Sequence, residues 1–255
     1  MTVSVDRVRA LLLTAGLALT GILTAGAQAP LPLPGQPAPV PGGRGARAGG
    51  PAQPSNLPAA PVVVTPATIS PEVTGPGAMF SSLMDLPPGD DLARFRYETH
   101  EYFVSGTANG QPYRTRLVIR RPADRTRFSG IVLAESMHPS GNAWMFHFTH
   151  TYTMSSGHIG VEIVTSTPAQ FTAFNQPRYA EMRIDPGQVN EVLAQVGAML
   201  RVSPESPLAG LPIRKVIFAG TSASSAVLIN YLPAHMVYRL PELKPIYDAF
   251  LPTST

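Results

Sequence analysis

The run Lys215-Val216-Ile217-Phe218-Ala219-Gly220-Thr221-Ser222-Ala223-Ser224-Ser225-Ala226 decides how this chain folds. Its first half is a short apolar stretch, as expected of a buried strand. Its second half is rich in small residues and leads into a helical pattern. A serine between strand and helix sits on a tight turn, and a tight turn lifts its hydroxyl off the edge of a sheet. Strand and helix backbones approach closely there, so bulk is excluded, and Gly220 and Ala223 supply the smallness. The alternative role for Ser222 is a plain helix N-cap, its side chain accepting a backbone N–H.

Upstream, strand-like and helix-like segments alternate. Ile131-Val132-Leu133-Ala134 is an apolar run suited to a strand covered on both faces. Residues 143–156 have helical spacing, with Trp144, Phe148 and Tyr152 four apart and Gly157 at the C-terminus. Ile159 to Val164 is a further strand. Val189, Val192, Leu193, Val196 and Leu200 mark one face of a helix, with Asp185 as N-cap and Pro186 in its first turn. A strand over 216–219, a helix over 226–232 closed by Pro233, and a strand over 247–251 complete the series. Earlier still, Arg94 to Val104 and Tyr113 to Arg120 are β-prone and flank Asn109-Gly110, which predicts a hairpin with a longer loop. An antiparallel hairpin followed by alternating strands and helices predicts an α/β fold with a mostly parallel sheet and helices on both faces.

The N-terminus is of a different kind. Arg7 and Arg9 precede an uncharged apolar stretch, Leu11 to Ala25, and Ala27-Gln28-Ala29 offers a small-x-small cleavage site. Residues 1–29 are therefore expected to be a secretory signal. The apolar stretch is short for a membrane span, so no stable anchor is expected after cleavage. The protein is expected to be exported, to the periplasm or beyond. Of 28 prolines, 13 fall between Pro30 and Pro76, and Arg44 and Arg47 are the only charges from Ala10 to Pro71. Such composition predicts a semi-rigid linker over 30–71 and a globular domain over 72–255. The chain has no cysteine, so neither a disulfide nor a lipidated N-terminal cysteine can form.

Net charge is +3, carried by 17 Arg and two Lys, and eight Arg lie between Arg94 and Arg127. Asp90, Asp91, Glu98, Glu101 and Asp124 are interleaved with them. The cluster is thus expected to be a mixed charged face rather than a nucleic-acid stripe, and no nucleic-acid partner is expected.

Several of these segments together resemble the bacterial α/β-hydrolase domain proteins, relatives of the serine hydrolases. The residues that carry the likeness are Ser105-Gly106-Thr107-Ala108, Arg120-Arg121-Pro122-Ala123-Asp124 with Phe128-Ser129-Gly130, Ala134-Glu135, Arg178-Tyr179, and Gly220 to Ser224. The resemblance spans roughly residues 90–255. It implies Ser222 as nucleophile and the Ala223 backbone N–H as one oxyanion donor. It places a second donor in the loop 136–141, with Ser136 and Met137 as candidates. It also implies a small-molecule ester as substrate and no cofactor. In this superfamily an acid and then a histidine follow the nucleophile in sequence. After Ser222 the carboxylates are Glu242 and Asp248, and the histidine is His235, none at the expected position. The resemblance therefore implies a hydrolase truncated at its C-terminal side, its sheet incomplete there, with little or no activity. The alternative reading is a non-catalytic binding protein on the same scaffold.

Glu135, at a strand end, is expected either to face a pocket or to accept backbone N–H groups. His138 and Trp144 are further candidates for the pocket wall, although Trp144 also suits the core. His138, His147, His150 and His158 are close in sequence and share no His-Glu-x-x-His pattern; structural roles, and no metal, are expected for them.

Overall fold

The computed structural model describes residues 57–254. The expected signal segment 1–29, and the linker up to residue 56, lie outside the described residues. The strands are β1 (Val62–Val63), β2 (Thr68–Ile69), β3 (Tyr97–Ala108), β4 (Gln111–Pro122), β5 (Ile131–Ser136), β6 (Ile159–Ile163), β7 (Lys215–Thr221), β8 (Tyr238–Arg239) and β9 (Ala249–Thr253). The helices are α1 (Leu92–Phe95), α2 (Trp144–Ser155), α3 (Pro168–Phe174), α4 (Gln176–Tyr179), α5 (Val189–Val202) and α6 (Ala223–Val237).

Seven strands form one mixed sheet in the order β2-β3-β4-β6-β5-β7-β9. Strands β5, β6, β7 and β9 run parallel, and the β3–β4 hairpin joins them antiparallel through β4 and β6. The hairpin turn is tighter than expected. Its strands reach Ala108 and Gln111, leaving Asn109 (φ 49°) and Gly110 (φ 69°) as a two-residue loop. Positive φ at both positions is what a twisted hairpin demands, and Asn-Gly tolerates it.

One face of the sheet carries the main core. Val132, Ala134, Val161, Val216 and Phe218 pack there against Val192, Val196 and Leu200 of α5 and Leu228 and Tyr231 of α6. The other face meets α2, where Ala143, Phe146 and Met154 form a smaller cluster. The crossovers after β5 and β7 thus leave on opposite faces. In an open α/β sheet the C-terminal ends of such strands are the usual place for a site.

Five expectations change. Residues 57–71, assigned to the linker, contribute β1 and β2, with Val64 and Ala67 buried. β-Branched residues between the prolines let short edge strands pair there. Arg94 does not start a strand: Leu92–Phe95 is a helical turn capped by Asp91, and Arg96 ends it at φ 53°. Helix α6 does not stop at Pro233 but runs on to Val237. Proline removes one amide donor, and Ile229, whose carbonyl loses that donor, is exposed and can meet water.

The aromatic row on α2 is not core. Phe148 and Tyr152 are each 66% exposed and Trp144 is half-buried, while Met145, Phe146, Thr153 and Met154 face inward. The arginine-rich region is only in part a charged surface: Arg94, Arg96 and Arg125 are exposed, but two of its arginines are not. Arg116 and Arg120 are buried on the α2 side of the sheet with Glu101, Glu162 and Arg178. Arg116 binds Glu162 at 2.9 Å and also pairs with Glu101. Arg120 reaches Glu162 at 3.1 Å, and Arg178 reaches Glu101 at 2.7 Å. The phenol of Tyr179 donates to Glu101 at 2.8 Å. The hairpin and β6 put these charges side by side, so each finds an opposite partner.

Candidate active site

Ser222 occupies the turn between β7 and α6 at φ 53° and ψ −124°. A side chain rarely adopts this backbone, and holding it costs about 1–3 kcal/mol, a strain that clusters at active sites. The hydroxyl caps no helix amide, and the residue is exposed. No hydrogen bond to Ser222 Oγ occurs among the described residues. The strain is held by neighbours. Gly220 is required, because a Cβ there would lie 2.6 Å from the Ser224 carbonyl oxygen. Ser225 Oγ lies 2.7 Å from both the Gly220 and Thr253 carbonyl oxygens and accepts the Thr253 N–H at 2.9 Å. The Ser222 N–H donates to Thr253 O at 3.1 Å. Sequence reading missed Ser225 and Thr253, and nothing local marks them, since their role exists only once β9 lies beside β7.

Ala223 opens α6, so its N–H has no carbonyl four residues back and remains free to donate. The expected second donor requires a correction. The Met137 N–H donates to Ile163 O at 2.8 Å and is engaged in the sheet continuation. Ser136 lies within β5, fully buried, its Oγ 2.5 Å from Thr165 Oγ1. Beyond them, the His138 N–H donates to Asn142 O (3.0 Å), that of Gly141 to His138 O (2.8 Å), and that of Ser140 to His138 Nδ1 (3.0 Å). The loop's amides close on the loop itself.

Glu135 is buried, and its carboxyl accepts the N–H groups of Met145 (2.9 Å) and Phe146 (2.8 Å). It caps the first turn of α2, where Ala143 offers no side-chain cap. Burial pushes its pKa up to about 8, against the pull of those two amides. Trp144 donates Nε1–H to Ser140 Oγ at 3.2 Å and stacks on Phe148.

The later titratable groups lie elsewhere. His235 is thirteen residues along α6 from Ser222, about 20 Å at roughly 1.5 Å per residue. Its ring packs against Phe250 and Tyr231, and burial lowers its pKa. Asp248 binds Arg201 at 2.5 Å and the Val216 N–H at 2.8 Å, next to the start of β7 and away from its Ser222 end. Glu242 pairs with Lys244 at 2.6 Å on the surface. Among the described residues no group of three or more His, Cys, Asp or Glu could hold a metal ion. His150 is taken up by Asp90 and the His147 carbonyl, and His158 by Ser129. No described helix is long and apolar enough to cross a membrane.

A strained, exposed serine in the turn from a parallel strand to a helix has the backbone arrangement that a nucleophile elbow of an α/β-hydrolase requires. The chain belongs to that family: the model of the alpha/beta hydrolase domain matches residues 58–255. Comparison with curated proteins gave no match. Solved structures that resemble the chain include brefeldin A esterase, a bacterial homologue of human hormone-sensitive lipase, at 17% identity and TM-score 0.35, covering 61% of this chain and 41% of that one. A dienelactone hydrolase from Anabaena variabilis shows 16% identity and TM-score 0.36, over 62% of this chain and 63% of that one. A Rhizomucor miehei esterase shows 14% identity and TM-score 0.32, over 52% of this chain and 38% of that one. The chain thus spans less than two thirds of each of these proteins. The likenesses are distant.

Proposed function

We propose that this protein is an exported serine hydrolase acting on small carboxylic esters, with Ser222 as nucleophile. The observation that carries this reading is the Ser222 backbone, held at φ 53° with its hydroxyl exposed and free of any cap bond. A structural serine at a helix start would use its side chain to cap; this one is kept clear at a cost in strain. In the proposed reaction Ser222 Oγ attacks the acyl carbon while the Ala223 N–H holds the developing oxyanion. Export rests on the basic, apolar and small-residue pattern of residues 1–29. No nucleic-acid partner and no cofactor enter the proposal.

Serine needs a base to become a useful nucleophile. None of the described residues bonds Ser222 Oγ; Asp248 and Glu242 are paired with cations elsewhere, and His235 packs against Tyr231 and Phe250 far along α6. The 255-residue chain is therefore proposed to have little or no turnover by itself. A fluorophosphonate probe separates the cases. Slow labelling of Ser222, abolished in Ser222→Ala, is the expected result. Rapid labelling would overturn the absence of a base, and labelling unchanged in Ser222→Ala would overturn the nucleophile. The missing partner of Ser222 Oγ also supports a second reading, a non-catalytic binder that keeps the pocket. Ester binding without slow turnover, and with no covalent adduct at all, favours it.

A further inference from the structure

We infer that His138, through its Nε2–H, is the second oxyanion donor of the Ser222 site. This rests on the reading of Ser222 as nucleophile. A tetrahedral oxyanion needs more than the one donor that Ala223 provides. The loop after β5 is the nearest structure by strand order. Glu135 pairs with Ala219 across β5 and β7, and His138 and Ser222 each lie three residues beyond that rung. Both therefore emerge at the same edge of the sheet, just beyond the ends of adjacent strands.

The loop backbone does not supply the donor. The N–H groups of Met137, His138, Ser140 and Gly141 are all engaged, and Pro139 has none. The His138 side chain is different, because its surroundings fix where its proton sits. Nδ1 accepts the Ser140 N–H at 3.0 Å, and a backbone N–H can only donate. Nδ1 also lies 2.8 Å from Ser140 Oγ. That hydroxyl already accepts from Trp144 Nε1 (3.2 Å) and Asn142 Nδ2 (3.1 Å), so its own proton points at Nδ1. With Nδ1 an acceptor twice over, the neutral ring carries its proton on Nε2. Nε2 meets no hydrogen-bond partner among the described residues. The imidazole is half-buried and held by a closed ring of contacts around Ser140, which leaves Nε2–H a fixed and unused donor.

In the step it serves, the Ser222 Oγ–carbon bond forms and the carbonyl π pair moves onto oxygen. The Oγ proton passes to water or a buffer base. The charged oxygen then sits between Ala223 N–H and His138 Nε2–H. Donation from a neutral imidazole requires no proton transfer, so His138 remains unchanged through the step.

The test uses an equilibrium probe, so that the stability of the adduct is read and not the rate of attack. An aryl trifluoromethyl ketone added to the full chain forms a hemiketal on Ser222, read as a 19F resonance that Ser222→Ala abolishes. His138→Leu is expected to weaken this adduct about 100-fold, the usual scale for losing one such donor. His138→Gln, which keeps an N–H at a similar reach, is expected to restore most of it. Binding of the corresponding unreactive alcohol should be equal in all three. Nitrogen NMR of the wild-type ring is expected to show the proton on Nε2. A proton on Nδ1, or equal ketone affinity in His138→Leu and wild type, overturns the proposal while leaving Ser222 standing. Absence of any Ser222-dependent resonance in the wild type overturns both readings. Should His138→Leu fail to fold, the ring tautomer and the His138→Gln affinity still decide.

Discussion

Ser222 and Thr253 are joined by a backbone hydrogen bond of 3.1 Å that runs from the elbow to the last paired residue of β9. A strained turn is thereby fastened to the strand beside it. The strain at the elbow and the packing around it can be measured separately.

Substituting Ser222 by glycine should stabilise the protein, because glycine accepts φ 53° without the penalty a side chain incurs. The gain over Ser222→Ala is expected at about 1 kcal/mol. Urea unfolding of the two variants gives the comparison; equal midpoints would show that the elbow stores no strain.

Gly220→Ala should have the opposite effect. The new Cβ would lie 2.6 Å from Ser224 O, in backbone that cannot move without opening the elbow. A loss of about 1–3 kcal/mol is expected, with weaker fluorophosphonate labelling of Ser222. Loss of stability without any change in labelling would mean that the turn geometry does not depend on this close approach.

Removing one member of the buried charge layer should be among the most destabilising changes. Glu101→Ala leaves Arg116 and Arg178 facing each other without their shared carboxylate. A cost of about 3–5 kcal/mol is expected, since an uncompensated buried charge remains. Thermal melting of this variant beside Glu98→Ala, an exposed control on the same strand, provides the measurement.

Glu135 should make stability fall as pH rises. Its carboxyl keeps its proton up to about 8 in the folded protein, whereas the unfolded chain releases it near 4.5. Between those values the folded state binds more protons than the unfolded one, so the slope of unfolding free energy with pH is negative. The slope from this group is at most about 1.4 kcal/mol per pH unit, and it ends once pH exceeds the folded value. Glu135→Gln should flatten the curve over that window. An identical slope in the variant would show that Glu135 is already ionised when folded.

Much of the architecture was legible in the chain because apolar runs and turn residues act locally. Ile131 to Ala134 and Val216 to Ala219 are strands because both sheet faces are covered there. Asn109-Gly110 turns because both residues tolerate positive φ. Where a local rule met a tertiary one, the tertiary one prevailed. Trp144, Phe148 and Tyr152 have the spacing of a core face, yet α2 turns that face outward because Phe146 and Met154 fit the sheet; Phe146 lies 2.4 Å from where a Cβ on Gly160 would stand. Pro233 ends a helix in isolation but sits within α6, where exposed Ile229 lets the freed carbonyl meet water.

By itself the sequence determined the strand-turn-helix around Ser222, the hairpin and the alternating order of elements, since each depends on neighbours a few residues away. Only the tertiary structure decided that Thr253 fastens the elbow, that Met137 is unable to donate, that Glu135 caps α2 and that Arg116 and Arg120 are buried in an ionic layer. Those outcomes join residues between 10 and 46 positions apart. Pairing at such separations is fixed by sheet register and helix placement, which no local pattern encodes.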